Sequence, residues 1–494
     1  MNLRWDERTR KILHVVRSCS DGASVWLVGG AVRDSLLGIP LKDLDFVTRA
    51  DSVRLGKAVQ KQLNAVAFTL DDDRKMVRVI LNRGKEDQVN LDFVLLMGET
   101  IEEDLRQRDY TIDAMAVELN NLDEVIDPLG GKLDLKDRLL RHCQPGTVFA
   151  DPLRALRGAR LIKNFGLTPD LLTEEEIKLT SKALVKISTE RTRDELFKLI
   201  ALGDVADTLL LLNRLELLEP IFPEIEQLRQ LNAVGQHVHN LWDHTLQTIR
   251  YLESLINCLS CSQKAIQNDS YLDEAYACLT PYRNALNRHL NEPLQGGRPR
   301  RHLLLLAAIY HDVGKLATMA SSEDGTITFP EHGAASAKAA SNFAQLYLLG
   351  NEESAYLQKV VGGHMRVAAL AIPHGKITKL AIYNFYQPLW SAGVDVCLHT
   401  LADLYAAREN KLDHQLWQLA LQRVSILLEA WFDRYDELVD PPRILNGFDL
   451  QKELGLPPGP HIGQLLEVIR SRQVEGGLST YEEALAYARQ SLNQ

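Results

Sequence analysis

Two aspartates with a spacing suited to metal binding lie in the segment Asp43-Leu-Asp-Phe-Val, whose alternating pattern predicts a β-strand. Every second side chain of a strand points to the same face, so the carboxylates of Asp43 and Asp45 are expected side by side. Adjacent carboxylates repel each other unless a cation lies between them, and Mg²⁺ combines one or two such groups with substrate phosphates. The spacing predicts a phosphoryl-transfer site, with Asp92 on a later strand as a third candidate ligand. A solvated strand edge is the alternative.

A glycine turn precedes this strand. Gly29-Gly30 follows the apolar run Val25-Trp-Leu-Val and opens a segment with helical patterning. Glycines let backbone N–H groups approach a phosphate, and the N-terminus of a helix favours an anion. Arg33 is placed to add a charge-assisted contact to the same phosphates. A tight turn without a ligand is the alternative.

A basic helix is predicted to begin at Asp151-Pro152, because an N-cap acceptor followed by proline is typical of a helix start. Arg154, Arg157 and Arg160 recur every three residues and form a ridge along one face. An aspartate and an arginine together complement the Watson–Crick edges of adenine and cytosine, which both offer an amino donor beside a ring-nitrogen acceptor. The alternative is a capped amphipathic helix with a solvated charged face.

Histidines concentrate in the middle of the chain, where residues 237–414 contain eleven of the 14. His311-Asp312 follows the apolar run 303–310, and adjacent histidine and aspartate side chains at the end of a buried helix can ligate a divalent metal. For any single histidine, a hydrogen-bonded core position is the alternative. Cys258 and Cys261 have no second cysteine pair nearby, which argues against a zinc site.

The predicted elements divide the chain into an α/β part and a helical part. Strands are predicted at 25–28, 43–47, 77–81 and 89–96, with a hairpin over 114–126. From Asp151 onward, apolar residues recur at helical spacing. The polar segment 287–301 is predicted as a linker or insertion, and the proline clusters at 441–442 and 457–460 are predicted to isolate a helical tail.

Composition excludes several classes of protein. Apolar residues make up 45% and charged residues 25%, which is typical of globular domains. No apolar run approaches the ~20 residues of a membrane helix, and no signal peptide is visible, so we expect a cytoplasmic protein. The net charge of −10 does not exclude a nucleic-acid partner, because a global sum says nothing of a local basic stripe.

The motifs described above resemble those of a known family. Gly29 to Gly38 together with Asp43-Leu-Asp45 resembles the first signature of the class II tRNA nucleotidyltransferases and bacterial poly(A) polymerases, which are polymerase-β-like nucleotidyltransferases. Four further segments resemble later motifs of that family in the same order: 102–116, 127–141, 151–160 and 187–195. The chain departs from the pattern at Gln107, Asp113 and Ala150.

The resemblance implies roles for individual residues. Arg108 and Asp109 would contact the ribose and phosphate of the nucleotide, and Asp151 and Arg154 would select the base. Arg157 and Arg160 would point toward phosphates or hold the helix. In the histidine-rich region, six residues resemble the ordered ligand series of an HD-type phosphohydrolase: His244, His311, Asp312, His332, His364 and Asp403.

The expected fold class is α+β. A polymerase-β-like head with a mixed sheet (1–145) is expected, followed by an all-α neck with the nucleotide-selecting helix (146–225). An HD-type helical domain (226–430, with an insertion near 257–301) and a helical tail (431–494) complete the chain.

The resemblance predicts a template-independent RNA nucleotidyltransferase that adds CMP and AMP (CCA, or CC or A only) to tRNA 3′ ends and releases pyrophosphate. Mg²⁺ is the expected cofactor at Asp43 and Asp45, with a further divalent metal in the HD domain. The expected partners are tRNA, ATP and CTP, and no membrane. Two alternatives stay open: a poly(A) polymerase, and an HD phosphohydrolase whose head only binds RNA.

Overall fold

The computed structural model describes residues 1–73, 75–85, 87–230, 241–260, 269–323, 327–371, 376–407 and 413–492. These form two compact units. The first unit consists of Met1–Leu202 and Leu210–Ile221, and the second of Gly203–Leu209 and Phe222–Gln494. Across the described ranges, no helix has the length and apolar character needed to cross a membrane. The finer division into four domains stays a prediction.

A six-stranded mixed sheet organises the described part of the first unit, in the order β3-β4-β5-β2-β1-β6. Its strands are β1 (Val25–Val28), β2 (Asp43–Thr48), β3 (Val66–Asp71), β4 (Met76–Leu81), β5 (Val89–Leu95) and β6 (Ala116–Glu118). Strands β2 and β5 are parallel, and their register places Asp45 opposite Asp92. The antiparallel pairing of β4 with β5 places Arg78 opposite Asp92 on the other side. Opposite residues share a face, so these three side chains form one row across the sheet.

The two faces of this sheet are covered differently. On one face, helix α3 (Ser52–Leu63) packs against β3, β4 and β5, and Phe46 stacks on Phe93 with ring centroids 5.0 Å apart. On the other face, the short helix α4 (Ile101–Arg106) covers Val28 and Val47. Asp43, on that second face, remains exposed. The sheet therefore presents its carboxylates on the face that α4 covers only in part.

Helices complete the first unit. They are α1 (Glu7–Cys19), α2 (Gly30–Leu37), α5 (Gly131–Asp137), α6 (Thr147–Ala150), α7 (Leu153–Phe165), α8 (Leu171–Thr180), α9 (Thr189–Ala201), α10 (Val205–Arg214) and α11 (Leu218–Ile221), of which α10 continues into residues of the second unit. A parallel pair of short strands, β7 (Leu139–Leu140) and β8 (Thr168–Pro169), joins the segment after α5 to the segment after α7.

The described part of the second unit is almost entirely helical. Its helices are α12 (Pro223–Gln230), α13 (Leu241–Ser260), α14 (Ser270–Leu279), α15 (Arg283–Asn291), α16 (Arg300–Tyr310), α17 (Lys315–Thr318), α18 (His332–Leu346), α19 (Asn351–Gly363), α20 (Arg366–Ala369), α21 (Lys379–Leu389), α22 (Ala392–Ala407), α23 (His414–Phe432), α24 (Gly447–Leu454), α25 (Pro460–Val474) and α26 (Tyr481–Leu492). A small hairpin of β9 (Ala320–Ser321) and β10 (Ile327–Thr328) follows α17. Helices α13, α16, α19 and α22 pack around one core, and α24 to α26 enclose a separate apolar cluster.

The sequence predicted most of these elements but not all. The strands at β1, β2, β4 and β5 and the helix at α7 are confirmed. Strand β3 was not predicted, and the expected hairpin over 114–126 is one strand, β6, with an isolated bridge between Ala116 and Ile126. The expected linker at 287–301 is wrong at its start, because α15 extends to Asn291 and buries Leu286 and Leu290. Their i, i+4 spacing places both on one helix face that packs into the core.

Candidate functional site

The carboxylates of Asp43 and Asp45 lie on the same face of β2, as their spacing predicted. Asp43 is exposed, and its Oδ1 accepts a hydrogen bond from Asn90 Nδ2 at 2.8 Å. Asp45 is partly buried. Burial, and then the neighbouring charges of Asp92 and Asp43, raise the pKa of Asp45 to about 6. A cation bound here would offset the repulsion between these carboxylates. Such clustering of negative charge is typical of a metal site.

Asp92, the third candidate ligand, is bound by an arginine. Arg78 Nε donates to Asp92 Oδ1 at 2.7 Å, and Arg78 Nη2 donates to Oδ2 at 2.6 Å. Among the described residues, the groups of three whose ligand atoms lie within 4.8 Å of one another do not include Asp43, Asp45 and Asp92. The geometry makes Asp92 the partner that holds Arg78, and ligation of a metal by Asp92 stays a prediction.

The glycine turn joins β1 to α2. Gly29 has a φ of +70°, and a Cβ at this position would lie 3.0 Å from Nη1 of Arg108. The Gly29 N–H already donates to the carbonyl of Met115 at 3.0 Å, so it is not free for a phosphate. The N–H groups of Gly30 and Ala31 begin α2, where a helix has no acceptors of its own to offer them.

Arg33 is buried in a set of ion pairs. Its guanidinium bonds to the carboxylates of Asp113 and Asp34 and lies 4.4 Å from the ring centroid of Phe165. Burial opposes its charge, but the two carboxylates outweigh this and raise the pKa of Arg33. Arg33 therefore ties α2 to the end of α7, and the expected phosphate contact stays a prediction. Asp113, one of the departures from the family pattern, is one of the two carboxylates that bind Arg33.

Arg108 and Asp109 face different neighbours. Arg108 Nε and Nη2 each donate to Asp104 Oδ2 at 3.2 Å, beside Gly29. Asp109 is buried, and its Oδ2 forms an ion pair with Arg157 Nε at 3.0 Å. The charge of Asp109 raises the pKa of Arg157 against the effect of burial. Asp109 thus anchors α7, and its predicted contact with the nucleotide is not part of the described geometry.

The start of α7 has the expected cap. Asp151 Oδ1 accepts from the Leu153 N–H at 3.2 Å, and Asp151 Oδ2 accepts from Arg191 Nη2 at 2.6 Å. Arg154, one turn further on, donates to the backbone carbonyls of Thr147 and Gln107 at 3.3 and 3.2 Å. Both predicted base readers are partly exposed, and both are held by neighbours in the absence of a nucleotide.

The remaining arginine of the ridge is structural in this geometry. Arg160 Nε donates to Glu195 on α9, and Lys198 lies 3.2 Å from the same carboxylate. These two cations lower the pKa of Glu195 although burial would raise it. Together with Arg157, Arg160 holds the helix rather than presenting a free charge to phosphate.

The second unit brings all six residues of the HD-like series together. Asp312 lies at the centre: its Oδ2 is 3.3 Å from His311 Nε2 and 3.5 Å from His244 Nε2. Its Oδ1 is 3.5 Å from His332 Nε2 and 4.0 Å from His364 Nε2. Asp403 Oδ1 completes the set at 2.9 Å from His244 Nε2. Asp312 therefore belongs to two groups of candidate ligands, one with His244 and His311 and one with His332 and His364.

Backbone carbonyls fix the orientation of three of these rings. The Nδ1 atoms of His311, His332 and His364 lie 2.8, 3.0 and 2.7 Å from the carbonyls of Ala308, Phe329 and Val361. These contacts direct Nε2 of each ring toward Asp312, and metal-binding histidines are oriented in the same way by a hydrogen bond at their other nitrogen. Imidazole and carboxylate donors suit Zn²⁺, Mn²⁺, Fe²⁺ and Ni²⁺. The donor set therefore fits a transition metal.

Charge balance within this cluster follows from burial and proximity. Burial disfavours the ionised carboxylates, but His311 and its neighbours hold the pKa values of Asp312 and Asp403 well below their usual range. The two carboxylates in turn raise the pKa of His311 to about 10 although burial opposes it. Lys315 Nζ donates to Asp312 Oδ2 at 2.6 Å.

Sequence reasoning missed several residues that contact these sites. Arg78 and Arg191 bind Asp92 and Asp151, and Lys315 binds Asp312. His399 is fully buried, with its ring centroid 5.0 Å from that of His311. Lys315 lies three positions after Asp312, at the start of α17, and the spacing of His399, four positions before Asp403, places both on the same face of α22.

Family comparisons agree with this geometry. The poly A polymerase head domain matches residues 25–141, the RNA- and SrmB-binding site of polymerase A matches 166–228, and the tRNA nucleotidyltransferase domain 2 matches 386–488. The chain belongs to the tRNA nucleotidyltransferase and poly(A) polymerase family. The matched head spans the glycine turn, both aspartates of β2 and Arg108, and the other two matches extend the family assignment along most of the chain.

Two tRNA nucleotidyltransferases are similar to the chain over most of its length. An A-adding tRNA nucleotidyltransferase of Deinococcus radiodurans is 29% identical, with 93% of this chain and 94% of the relative covered. A CC-adding tRNA nucleotidyltransferase of Geobacter sulfurreducens is also 29% identical, with 94% and 91% covered.

Solved structures of the family share the fold. A CCA-adding enzyme in an apo form has a TM-score of 0.62 at 19% identity, with 99% of this chain and 96% of that chain covered. A Thermotoga maritima CCA-adding enzyme complexed with tRNA has a TM-score of 0.55 at 18% identity, with 99% and 97% covered.

Proposed function

We propose that the chain is a template-independent nucleotidyltransferase that adds CMP or AMP to the 3′ end of tRNA and releases pyrophosphate. The observation that carries this proposal is the pair Asp43 and Asp45 on one face of β2, beside the glycine turn of α2. Family membership and the tRNA nucleotidyltransferase activities of the Deinococcus and Geobacter relatives support this proposal. The cytoplasm, as the expected location, stays a prediction.

Asp43 and Asp45 would hold Mg²⁺ in this reaction, and the ion, when bound, would neutralise charge on the triphosphate. The residues of the chain contribute position and charge. The N–H groups of Gly30 and Ala31 start α2 and face an anion favourably, and Arg108 lies against Gly29. The 3′-hydroxyl of the RNA attacks the α-phosphate, a new phosphodiester bond forms, and the bond to pyrophosphate breaks. Most of the rate enhancement comes from alignment and charge stabilisation.

Selection of the nucleotide would rest on Asp151 and Arg154. A carboxylate oxygen accepts from the exocyclic amino group of adenine or cytosine, and a guanidinium donates to the adjacent ring nitrogen. In the described geometry, Asp151 Oδ1 caps α7 and Oδ2 bonds to Arg191. A base would therefore have to share or replace Arg191, while the cap remains in place.

One assay tests the nucleotidyltransferase proposal and defines the product. Labelled tRNA lacking its CCA end and labelled tRNA ending in CC are each incubated with CTP, ATP or both, and the products are sized at nucleotide resolution. Addition of two C residues, of A to a tRNA ending in CC, or of CCA supports the proposal and separates its three forms. Long tails from ATP alone identify a poly(A) polymerase instead, and no incorporation by the wild-type chain contradicts both.

We further propose that the second unit is a metal-dependent phosphohydrolase, because five of its six candidate ligands form two groups that share Asp312, and Asp403 lies against His244 of one group. The metals, when bound, would supply a water of lowered pKa for attack on a phosphate ester. Within the chain, Asp312 and Asp403 carry the negative charge, and Lys315 balances part of it.

Hydrolysis of a 2′,3′-cyclic phosphate and of a phosphomonoester in the presence of Mn²⁺ or Ni²⁺ tests this second activity. We expect His311→Ala to lose hydrolysis and to keep nucleotide addition. Asp45→Ala should keep hydrolysis and lose nucleotide addition. Equal hydrolysis by the wild-type chain and His311→Ala would contradict the proposal.

A further inference from the structure

Strand β3 exposes apolar side chains at the edge of the sheet. Val66, Phe68 and Leu70 are 43%, 41% and 42% exposed, and β3 is the edge strand of the described sheet. Exposed apolar residues on an edge strand promote unwanted pairing, and natural edges usually carry charges instead. Contiguous exposed apolar side chains more often mark a binding surface.

The register places this apolar edge on the face that carries the catalytic candidates. Phe68 lies opposite Arg78, Arg78 lies opposite Asp92, and Asp92 lies opposite Asp45. The next row runs in the same way from Val66 to Asp43, through Ile80 and Asn90. Opposite residues of paired strands point to the same side of a sheet, so Val66 and Phe68 share the face of Asp43 and Asp45. Three strand spacings separate Phe68 from Asp45, which is about 14 Å.

We propose that Val66 and Phe68 form a stacking platform for the unpaired 3′-terminal nucleotides of the RNA acceptor. This inference rests on the proposed nucleotidyltransferase function. An acceptor that approaches Asp43 and Asp45 along this face brings its preceding nucleotides within reach of Phe68. The continuity of these rows with the carboxylates, together with the partly exposed charge of Arg78 between them, favours RNA over a second copy of the chain or a protein partner.

The chemistry of the rows suits single-stranded RNA. Phe68 offers an aromatic ring, and stacking of a base on an aromatic side chain does not depend on the identity of the base. Arg78, between Phe68 and Asp92, has a side chain that is 35% exposed, so part of its positive charge faces solvent. Arg78 is therefore placed to contact the phosphates that link stacked bases.

The platform is tested by fluorescence of RNA minihelices that carry 2-aminopurine at the first, second or third position from the 3′ end. ATP and CTP are left out of this assay, so binding is measured without nucleotide transfer. The platform predicts quenching at one of these positions by the wild-type chain and by Phe68→Trp, and loss of that quenching in Phe68→Leu.

Phe68→Ala should weaken minihelix binding about five- to tenfold, with unchanged KM for ATP and CTP. Leu346→Ala, at a 55% exposed apolar position that ends α18 outside the family-matched segments, is the control and should bind normally.

The outcomes separate the platform from the proposed function. Wild-type incorporation into tRNA together with normal binding and quenching by Phe68→Leu and Phe68→Ala overturns the platform. Quenching that depends on Phe68 in a chain that incorporates no nucleotide supports the platform as an RNA surface and overturns the proposed function. Loss of a dimer in Phe68→Ala, seen by sedimentation without an effect on RNA, assigns the edge to self-association and overturns the platform. Thermal melting of each variant verifies that it is folded.

Discussion

Arg157 on α7 lies 3.0 Å from Asp109, Nε to Oδ2, in an ion pair whose carboxylate is buried. The pair joins the helix that begins with Asp151 and Arg154 to the segment that carries Arg108. Family resemblance implied a contact with the nucleotide for Asp109, and for Arg157 either a direction toward phosphates or a role in holding the helix. The ion pair supports the second role for Arg157, and the contact of Asp109 with the nucleotide stays a prediction.

Replacing Arg157 by leucine is expected to lower the free energy of unfolding by about 2 kcal/mol, because Asp109 would remain buried without a counter-charge. This value allows for solvent around Arg157, whose side chain is 42% exposed. Urea unfolding measures the change. Arg54→Ala is the control: it breaks a pair with Asp21 in which both side chains are at least 76% exposed, and should cost no more than about 0.5 kcal/mol. Equal effects of the two variants would contradict the role assigned to Arg157.

Asp45→Asn is expected to stabilise the metal-free chain while abolishing nucleotide addition. The pKa of Asp45 is raised from 3.8 to about 6, so its ionised form is disfavoured in the folded state. The resulting loss of stability develops as the pH rises from about 4 to about 6 and persists above that. Asp45→Asn should therefore exceed the wild type by about 1–2 kcal/mol at pH 8, and the difference should disappear near pH 4.

Unfolding in EDTA across this pH range measures the difference between Asp45→Asn and the wild type. Exposed Asp43 provides the control: Asp43→Asn should change stability by no more than about 0.5 kcal/mol at either pH. A pH-independent gain in Asp45→Asn would show that charge repulsion among the carboxylates is not its cause.

Gly158→Ala is expected to destabilise the first unit strongly. A Cβ on Gly158 would lie 2.2 Å from the hydroxyl oxygen of Tyr110, which donates to the carbonyl of Arg154 at 2.6 Å. Tyr110 is fully buried, so relief requires movement of α7, at a cost of about 2–4 kcal/mol. Tyr110→Phe removes the clashing oxygen, and the double variant should regain part of the loss in a thermal unfolding cycle. Simple additivity of the two changes would rule out this contact as the cause.

Metal content should follow the two groups that share Asp312. Asp312→Ala is expected to lose both ions, and His332→Ala is expected to lose one, because His332 belongs to only one group. Elemental analysis after dialysis against Mn²⁺ or Ni²⁺ gives the stoichiometry. His302→Ala, outside both groups, should retain the wild-type content. Identical metal content in Asp312→Ala and His332→Ala would contradict a shared carboxylate.

Sequence spacing was sufficient to predict the positions of side chains where a local pattern determines their geometry. The shared face of Asp43 and Asp45 follows from the strand period, and the cap by Asp151 follows from its position before Pro152. The HD-like residues were predicted as a set from their order, and the structure places them around Asp312. The first two predictions depend on motifs of a few residues, and the third depends on the order of short motifs from His244 to Asp403.

Long-range partners could not be predicted in this way. Arg33 pairs with Asp113, 80 positions away, and this tertiary contact could not be predicted from spacing along the chain. Strand β3 does alternate, but its apolar side faces solvent, contrary to the usual burial of that side. Arg78 could be recognised only after the register of β4 and β5 placed it opposite Asp92.

The central claim is that Asp43 and Asp45 support transfer of nucleotides to the 3′ end of tRNA. The direct test is incorporation of labelled CMP and AMP into tRNA lacking its CCA end and into tRNA ending in CC, in Mg²⁺, by the wild-type chain, Asp43→Ala and Asp45→Ala. We predict that the wild type adds a defined short C or A sequence. The rate of incorporation should fall at least about a thousandfold in each variant. Near-normal incorporation by either variant, or none by the wild type, would contradict it.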